Sequence, residues 1–435
     1  MLVKTKIRIN DSLNSYLENP YPIELKTENK HYNWGQVGKE AYLPTLLNCQ
    51  HENKPWAELW IGIHKNAPTK AIIDAYEIPL EKIYKLSELA KILSAADMLS
   101  LQVHPNKLQA ETGFKIENKE KVAKEKRTYF DRNAKPEVVV PLTYFWLMVD
   151  FLPQDELVNR LKRYNHLKNY FYQEITELSM TKDKSKVLQI KKSLFSKIVN
   201  STQFELNKLL EGLAQEITEK NQRQAFTKHQ IEYWFLKALK KYSINNSYDR
   251  GLLSFFLLNL VHLTPYDKSL ESLTVSDAVN LKPGDAIYID SGVPHMYLEG
   301  VCFEQMKSSD NVVRAGLTDK YINIPELLKI IDYSEKDINV LTPNILKNQD
   351  NFIVNYPSPN KALKRFDLSI LSLNKIHALP AYSWPQIILV LEGTVNLAYD
   401  NEICTYKKGQ IVLIPQNMAV ELKTDTKALC LCFCL

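Results

Sequence analysis

The hydrophobic pattern changes twice along this 435-residue chain. From about residue 20 to 150, short apolar runs such as AELWIGIH (57–64), LSLQVHPN (99–106) and EVVVPLTYFWLMV (137–149) are separated by prolines and polar turns. Runs of that length bounded by turn formers predict strands, with one short helix near Glu81–Ala96. Between Gln154 and Thr264 there is no proline, and only Gly212 and Gly251 interrupt. Apolar residues there recur three and four apart, as in FELNKLLEGLAQEI (204–217) and IEYWFLKALKKY (231–242), which predicts helices. After Pro265 the strand texture returns, with glycine turns such as KPGD and LEGT, and persists to the end apart from the helical stretch IPELLKIIDY (324–333). The expectation is a mainly β protein carrying an inserted α segment.

A faint internal repeat lies within the second β region. LKPGDAIYID (281–290), followed by a turn and Pro294-His295, resembles YKKGQIVLIPQNMAV (406–420). Eleven residues after the glycine the first copy has His295 and the second has Val420. Two duplicated β-barrels, one with a polar site and one without, would produce this pattern, although two matching strands also arise by chance.

Alternation within one run brings in chemistry. In Leu99-Ser-Leu-Gln-Val-His104, strand geometry puts Ser100, Gln102 and His104 on one face and Leu99, Leu101 and Val103 on the other. Polar residues opposite aliphatics suit a barrel interior with a polar site; a solvated face with an unliganded histidine is the alternative. Glu137 opens another apolar strand behind Lys135-Pro136, and His295 follows Gly284-Asp285 by a strand and a turn. Together Gln102, His104, Glu137 and His295 offer a four-donor shell of N and O atoms suited to zinc or a similar divalent ion. Two neutral imidazoles, an amide and one carboxylate leave such a site at +1, able to polarise a carbonyl and stabilise an enediolate. A second stretch, Glu304 to Lys320, supplies Glu304 and Asp310 for proton transfer and Arg314 and Lys320 for anion binding. A mixed-charge surface loop is the alternative there.

Composition narrows the class. Length predicts two or three domains, and 45% hydrophobic with 24% charged residues is an ordinary globular profile. The net charge of +5 is small and well mixed, with no basic run interleaved with aromatics, so nucleic acid is not an expected partner. The N-terminus has no signal-like apolar core, and the longest apolar stretch, Leu252–Leu263, is broken by Ser254, Asn259 and His262, so no membrane association is expected. The six cysteines then read as reduced thiols of a cytoplasmic protein. Cys430, Cys432 and Cys434 alternate along one face of a terminal strand, where packing accounts for them better than a metal does.

The motifs YNWG (32–35), AELWIG (57–62), LSLQVHPNK (99–107), GFKIEN (113–118), KPE (135–137), PGDAIYI…PHMYLEG (283–300) and SDNVVRAGLTDKY (309–321) follow one another in a recognisable order. Through them the chain closely resembles the type I mannose-6-phosphate isomerases. The resemblance implies a zinc enzyme, one ion per chain, interconverting mannose 6-phosphate and fructose 6-phosphate. It also implies a cupin-type jelly-roll catalytic barrel (1–150 and 266–334), an inserted helical domain (151–265) and a metal-free cupin-like C-terminal barrel (335–435). The family's zinc ligands fall on Gln102, His104, Glu137 and His295. Ser100, Lys135, Tyr297, Glu304, Asp310, Arg314 and Lys320 match positions lining its substrate pocket, and Lys91 matches a lysine proposed to take part; Glu304 is the leading candidate for the catalytic base, with Lys91 and Asp310 behind it, and Arg314 would stabilise the oxyanion. A small-molecule hexose phosphate is the implied partner and a monomer the implied state. Three positions depart from the pattern: Ala134 stands where the family usually has His, Asn33 where Asp is commoner, and Lys307 where a small residue is usual. Another phosphosugar isomerase, or a catalytically silenced sugar-phosphate binder, remains the alternative.

Overall fold

The computed structural model describes residues 2–244, 247–266, 278–347, 350–359, 363 and 366–435. Its β strands gather mainly into a twelve-stranded and a nine-stranded sheet, with six consecutive helices inserted between Gln154 and Tyr242. The fold is thus mainly β with several helices.

The twelve-stranded sheet is organised by one long strand, His295–Lys307. It pairs antiparallel with Glu88–Ala95 on one side, Lys91 facing Glu304, and with Glu137–Pro141 on the other. At its start it turns to pair with Phe145–Phe151 and, through His295 and Gln102, with Leu101–Val103. One curved strand therefore brings four others to a common interior. That interior is filled by Leu93, Val139, Leu147, Val149, Val261, Ile287 and Tyr297, among others.

The helix expected near Glu81–Ala96 is not formed. Only a short 3₁₀ turn, Leu80–Lys82, precedes the strand Glu88–Ala95. Glu88, Lys91 and Ser94 are spaced three apart and imitate a helical polar stripe. All eight residues of the strand are buried, because it lies between two neighbours and each polar side chain finds a place within the fold. A helix was instead missed at Lys107–Lys119, where Asn106 and Gln109 form a reciprocal capping box.

The helices run as expected from Gln154, with a second capping box at Thr202 and Glu205. They end at Tyr242, short of the expected boundary at 265. Leu258–Leu263 is a strand that pairs antiparallel with Phe145–Phe151. Its run of Leu, Val and Leu is too short for a helix and is buried on both faces. The helical segment has a use near the site: Leu101, Val103 and Met296 share one apolar cluster with Leu210, Trp234 and Phe256, so helices support the strand that carries Gln102.

The nine-stranded sheet mixes the two ends of the chain. Ile23–Lys26, placed by sequence with the first barrel, alternates buried and exposed and pairs with Ile411–Ile414 and with Lys70–Ile73. The repeat appears as equivalent local structure. Gly284 (φ 90°) leads into Ala286–Ile289 and then the strand starting at His295; Gly409 (φ 87°) leads into Ile411–Ile414 and then the strand starting at Val420. Both glycines occupy left-handed backbone that disfavours other residues. The surroundings differ, since Val420 is packed in an apolar cluster with Leu397, Val412 and Leu422. Cys430 and Cys432 belong to the same cluster, as packing predicts.

Candidate active site

Strand alternation holds at Leu101–Val103: Leu101 and Val103 are buried in the helix-backed core, and Gln102 points the other way. His104, Glu137 and His295, each at the end of a strand, converge so that their donor atoms lie within 4.8 Å of one another. All three are fully buried. His104 Nε2 is 3.2 Å from Glu137 Oε1, and His295 Nε2 is 3.4 Å from Glu137 Oε2.

The outer contacts of these groups decide their protonation. His104 Nδ1–H donates to the Asn311 carbonyl at 2.8 Å, and His295 Nδ1–H donates to the Val293 carbonyl at 2.9 Å. Both Nε2 atoms are then lone-pair donors facing the same interior. His104 Nε2 makes no hydrogen bond there. Protonating it would repair this, but burial and then the nearby Lys135 ammonium push its pKa down to about 4. Burial would raise the Glu137 carboxyl, yet the Lys135 ammonium at 2.7 Å holds it well below the usual range. A carboxylate oxygen thus faces an imidazole lone pair at 3.2 Å, two acceptors with no proton between them. A cation bound by both would relieve the repulsion, so the donor set fits a divalent metal. Gln102 Nε2–H donates to His295 Nε2 at 3.3 Å, and a half-turn of the amide would present Oε1 instead.

Behind this centre lies a charged layer. The Tyr297 hydroxyl is 2.8 Å from Glu304 Oε1 and 3.0 Å from Glu137 Oε2, and burial with these carboxylates raises its pKa well above normal. Lys91 pairs with Glu304 at 3.0 Å and lies over the Trp60 ring. Burial would lower the Lys91 pKa, but Glu304, Glu58 and Glu137 outweigh it and raise it, so Lys91 stays an ammonium. That state disfavours the proton-accepting role considered for it.

In front lies a cavity of about 1130 Å³. Ser100, Gln102, Lys91, Lys135, Asp310, Arg314 and Lys320 line it, whereas Glu304 and Tyr297 are buried beneath. Arg314 sits opposite Gln102 across a strand pair. Neither the Arg314 nor the Lys320 side chain has a hydrogen-bonding or ion-pairing partner among the described residues. Burial lowers both pKa values, and Arg314 lowers that of Lys320 further. Asp319 opposes the shift in both without forming an ion pair with either, so two neighbouring cations are left open to an anionic group.

Several contributors were not singled out from sequence. His64 and Trp60 come from the AELWIGIH run, and Asn311 from the SDNVVRAG run. Asn311 is fully buried; its Oδ1 accepts from the Phe130 and Asp131 N–H groups, and its Nδ2 donates to Asp131 and Asn133. It thereby ties the segment leading to Lys135 and Glu137 to the carbonyl that orients His104. Lys307 points away from the cavity and pairs with the buried Glu88 at 3.0 Å. Asn33 lines the cavity; at Ala134 no polar side chain takes part.

Fold and site define a β-rich protein with a candidate metal centre at the base of a cation-lined cavity. Residues 23–154 match the family model for the type I phosphomannose isomerase catalytic domain. The chain is 28% identical over 447 residues to mannose-6-phosphate isomerase of Rattus norvegicus, covering 94% of this chain and 96% of that protein. Among solved structures, a zinc-bound mannose 6-phosphate isomerase shares 25% identity with a TM-score of 0.73, covering 95% of this chain and 99% of the other. A point mutant of phosphomannose isomerase from Salmonella typhimurium gives 26% identity, a TM-score of 0.73 and the same coverage. The resemblance read from the motifs is borne out by these matches, and the chain is an isomerase enzyme.

Proposed function

We propose that the chain is a zinc-dependent mannose-6-phosphate isomerase that moves a proton between C1 and C2 through a cis-enediol. The observation that carries the reading is the buried face-to-face contact of His104 Nε2 and Glu137 Oε1, which calls for a cation. Gln102, His104, Glu137 and His295 would hold one zinc ion. When bound, zinc would act as a Lewis acid toward the sugar's C1 or C2 oxygen.

The remaining steps belong to side chains. Arg314 and Lys320, with Ser100, bind the phosphate and so fix the sugar's register in the cavity. Lys135 donates to a substrate oxygen next to the metal centre. Asp310, a carboxylate of the cavity wall, handles the proton, while Glu304, the leading base by sequence, acts from beneath through Lys91 and Tyr297. Arg314 also stabilises the developing oxyanion. The finer architecture in this reading is two cupin-like barrels with a helical insertion, working as a cytoplasmic monomer. Among the described residues no helix is long and apolar enough to cross a membrane.

A coupled assay of mannose 6-phosphate turnover, with chelator and with zinc restored, tests the proposal. Turnover lost to chelator and recovered with zinc supports it, and absence of turnover in the zinc-loaded protein refutes it. Comparing mannose, glucose and talose 6-phosphates distinguishes the substrate. Incorporation of solvent deuterium at C1 or C2 distinguishes proton transfer from a hydride shift.

A further inference from the structure

Resting on the reading that Asp310 faces the substrate, we propose that His64 is a positioning residue that holds the Asp310 carboxylate as an oriented anion in the cavity wall. His64 is 7% exposed and does not line the cavity itself. Its ring is fixed on three sides. The Asn66 N–H donates to Nδ1 at 3.2 Å, the ring edge packs on Trp60 at 5.0 Å between centroids, and Nε2 lies 3.2 Å from Asp310 Oδ1.

Accepting at Nδ1 places the ring's hydrogen on Nε2, the ring atom 3.2 Å from the carboxylate, with no need for a charged imidazole. The next two residues address the other oxygen. Asn66 Nδ2–H donates to Asp310 Oδ2 at 3.3 Å, and Lys65 Nζ is 3.8 Å from it. From the opposite side, the Asp310 N–H donates to Asp131 Oδ2 at 2.9 Å, which fixes the backbone. Three consecutive residues thus form a clamp on one carboxylate, and two of them are exposed at the surface while His64 is buried.

The titratable groups facing Asp310 are His64, Lys65 and Lys135 as favourable neighbours, with Tyr32 and Asp131 also close. Burial opposes ionisation of Asp310, and His64 is the largest influence countering it, so the carboxyl lies below its usual range. Without His64 the carboxylate loses its rigid donor and gains freedom to turn away from the substrate or onto Lys135. Trp60 unites the two halves of the site, since Lys91 lies over its ring and His64 meets it in a T-shaped contact.

The test is a double-mutant cycle on the zinc-loaded, full-length protein with His64→Leu, Asp310→Asn and the pair, reading kcat, KM, pH profile and zinc content. His64→Gln is included because its amide N–H can replace the Nε2–H donor. Expected are a fall in kcat/KM of about tenfold in His64→Leu, the size of one hydrogen bond to a charged group, and an acid limb moved to higher pH. Partial recovery in His64→Gln, zinc content unchanged, and little further loss when His64→Leu is added to Asp310→Asn complete the expected result. Equal losses from His64→Leu with and without Asp310→Asn, or an unmoved acid limb, would overturn the proposal. So would an Asp310→Asn variant with full turnover. Failure of the wild-type protein to turn over mannose 6-phosphate is a different result, and it strikes the functional reading instead.

Discussion

Replacing Tyr297 by Phe removes one buried oxygen and little else. The ring keeps its edge contact with Phe145 at 5.3 Å, and no cavity of consequence forms. What is lost is the donor between Glu137 Oε2 and Glu304 Oε1, at 3.0 and 2.8 Å. The raised pKa of Tyr297 means that the group lost is a phenol O–H and not a phenolate. Leaving a buried charged acceptor without a donor costs about 1–3 kcal/mol. Glu137 would be pulled toward its strongest remaining partner, Lys135 at 2.7 Å, and away from His295. Because Glu137 is a candidate metal ligand, this penalty should appear as a fall in zinc affinity of roughly tenfold to a hundredfold, in line with other outer-shell changes.

The substrate's KM should change little at saturating zinc, since the hydroxyl lies beneath the cavity wall. Chelator competition gives the zinc affinity, and the coupled assay at saturating zinc gives KM. A tenfold rise in KM with unaltered zinc affinity would refute this reasoning. It would favour the direct substrate contact that the family resemblance implies for Tyr297.

Three further variants probe other parts of the structure. Arg314→Ala should lower kcat/KM by at least about a hundredfold and weaken competitive inhibition by inorganic phosphate, since it removes one of two unpaired cations; unchanged phosphate inhibition would place the anion elsewhere. Gly316→Ala should destabilise the protein by about 2–3 kcal/mol, because the added Cβ would meet the Gly251 backbone at 2.5 Å; an unchanged melting temperature would contradict that. Asp150 is 7% exposed, and burial raises its carboxyl from 3.8 to about 6. A raised carboxyl pKa contributes stability that is complete below the unfolded value and is lost as pH rises through the folded one. Between pH 4 and 6 the protein should therefore lose up to about 3 kcal/mol from this group. Asp150→Asn keeps an acceptor for the Phe151 N–H and tolerates φ 56°, so it should be more stable than wild type at pH 8 and no more stable at pH 4, as read by denaturant titration.

What could be read from the sequence follows the range of the interactions involved. Alternation over six residues placed Gln102 and His104 on one face, and the spacing of Gly284 from His295 located a strand and a turn, because both depend on local backbone geometry. The helix at Lys107–Lys119 was equally local and could have been read from the Asn106…Gln109 capping pair. Glu88–Ala95 could not, since the spacing of Glu88 and Lys91 favours a helix until strands from residues 58–61 and 295–307 enclose it. The site divides in the same way. Sequence nominates His104 as a ligand, but a ligand needs a free lone pair. The hydrogen bond that fixes its tautomer comes from the Asn311 carbonyl, 207 residues away. Burial, and then the nearby Lys135, keep the ring neutral, and both come from the tertiary fold as well. Residue type thus nominated the candidate metal donors, whereas their protonation, and the case for a cation between them, arise only from tertiary contacts. His64 illustrates the converse. It ends the apolar run AELWIGIH that sequence flagged, yet its bearing on the site comes through a contact with Asp310, which no local pattern encodes.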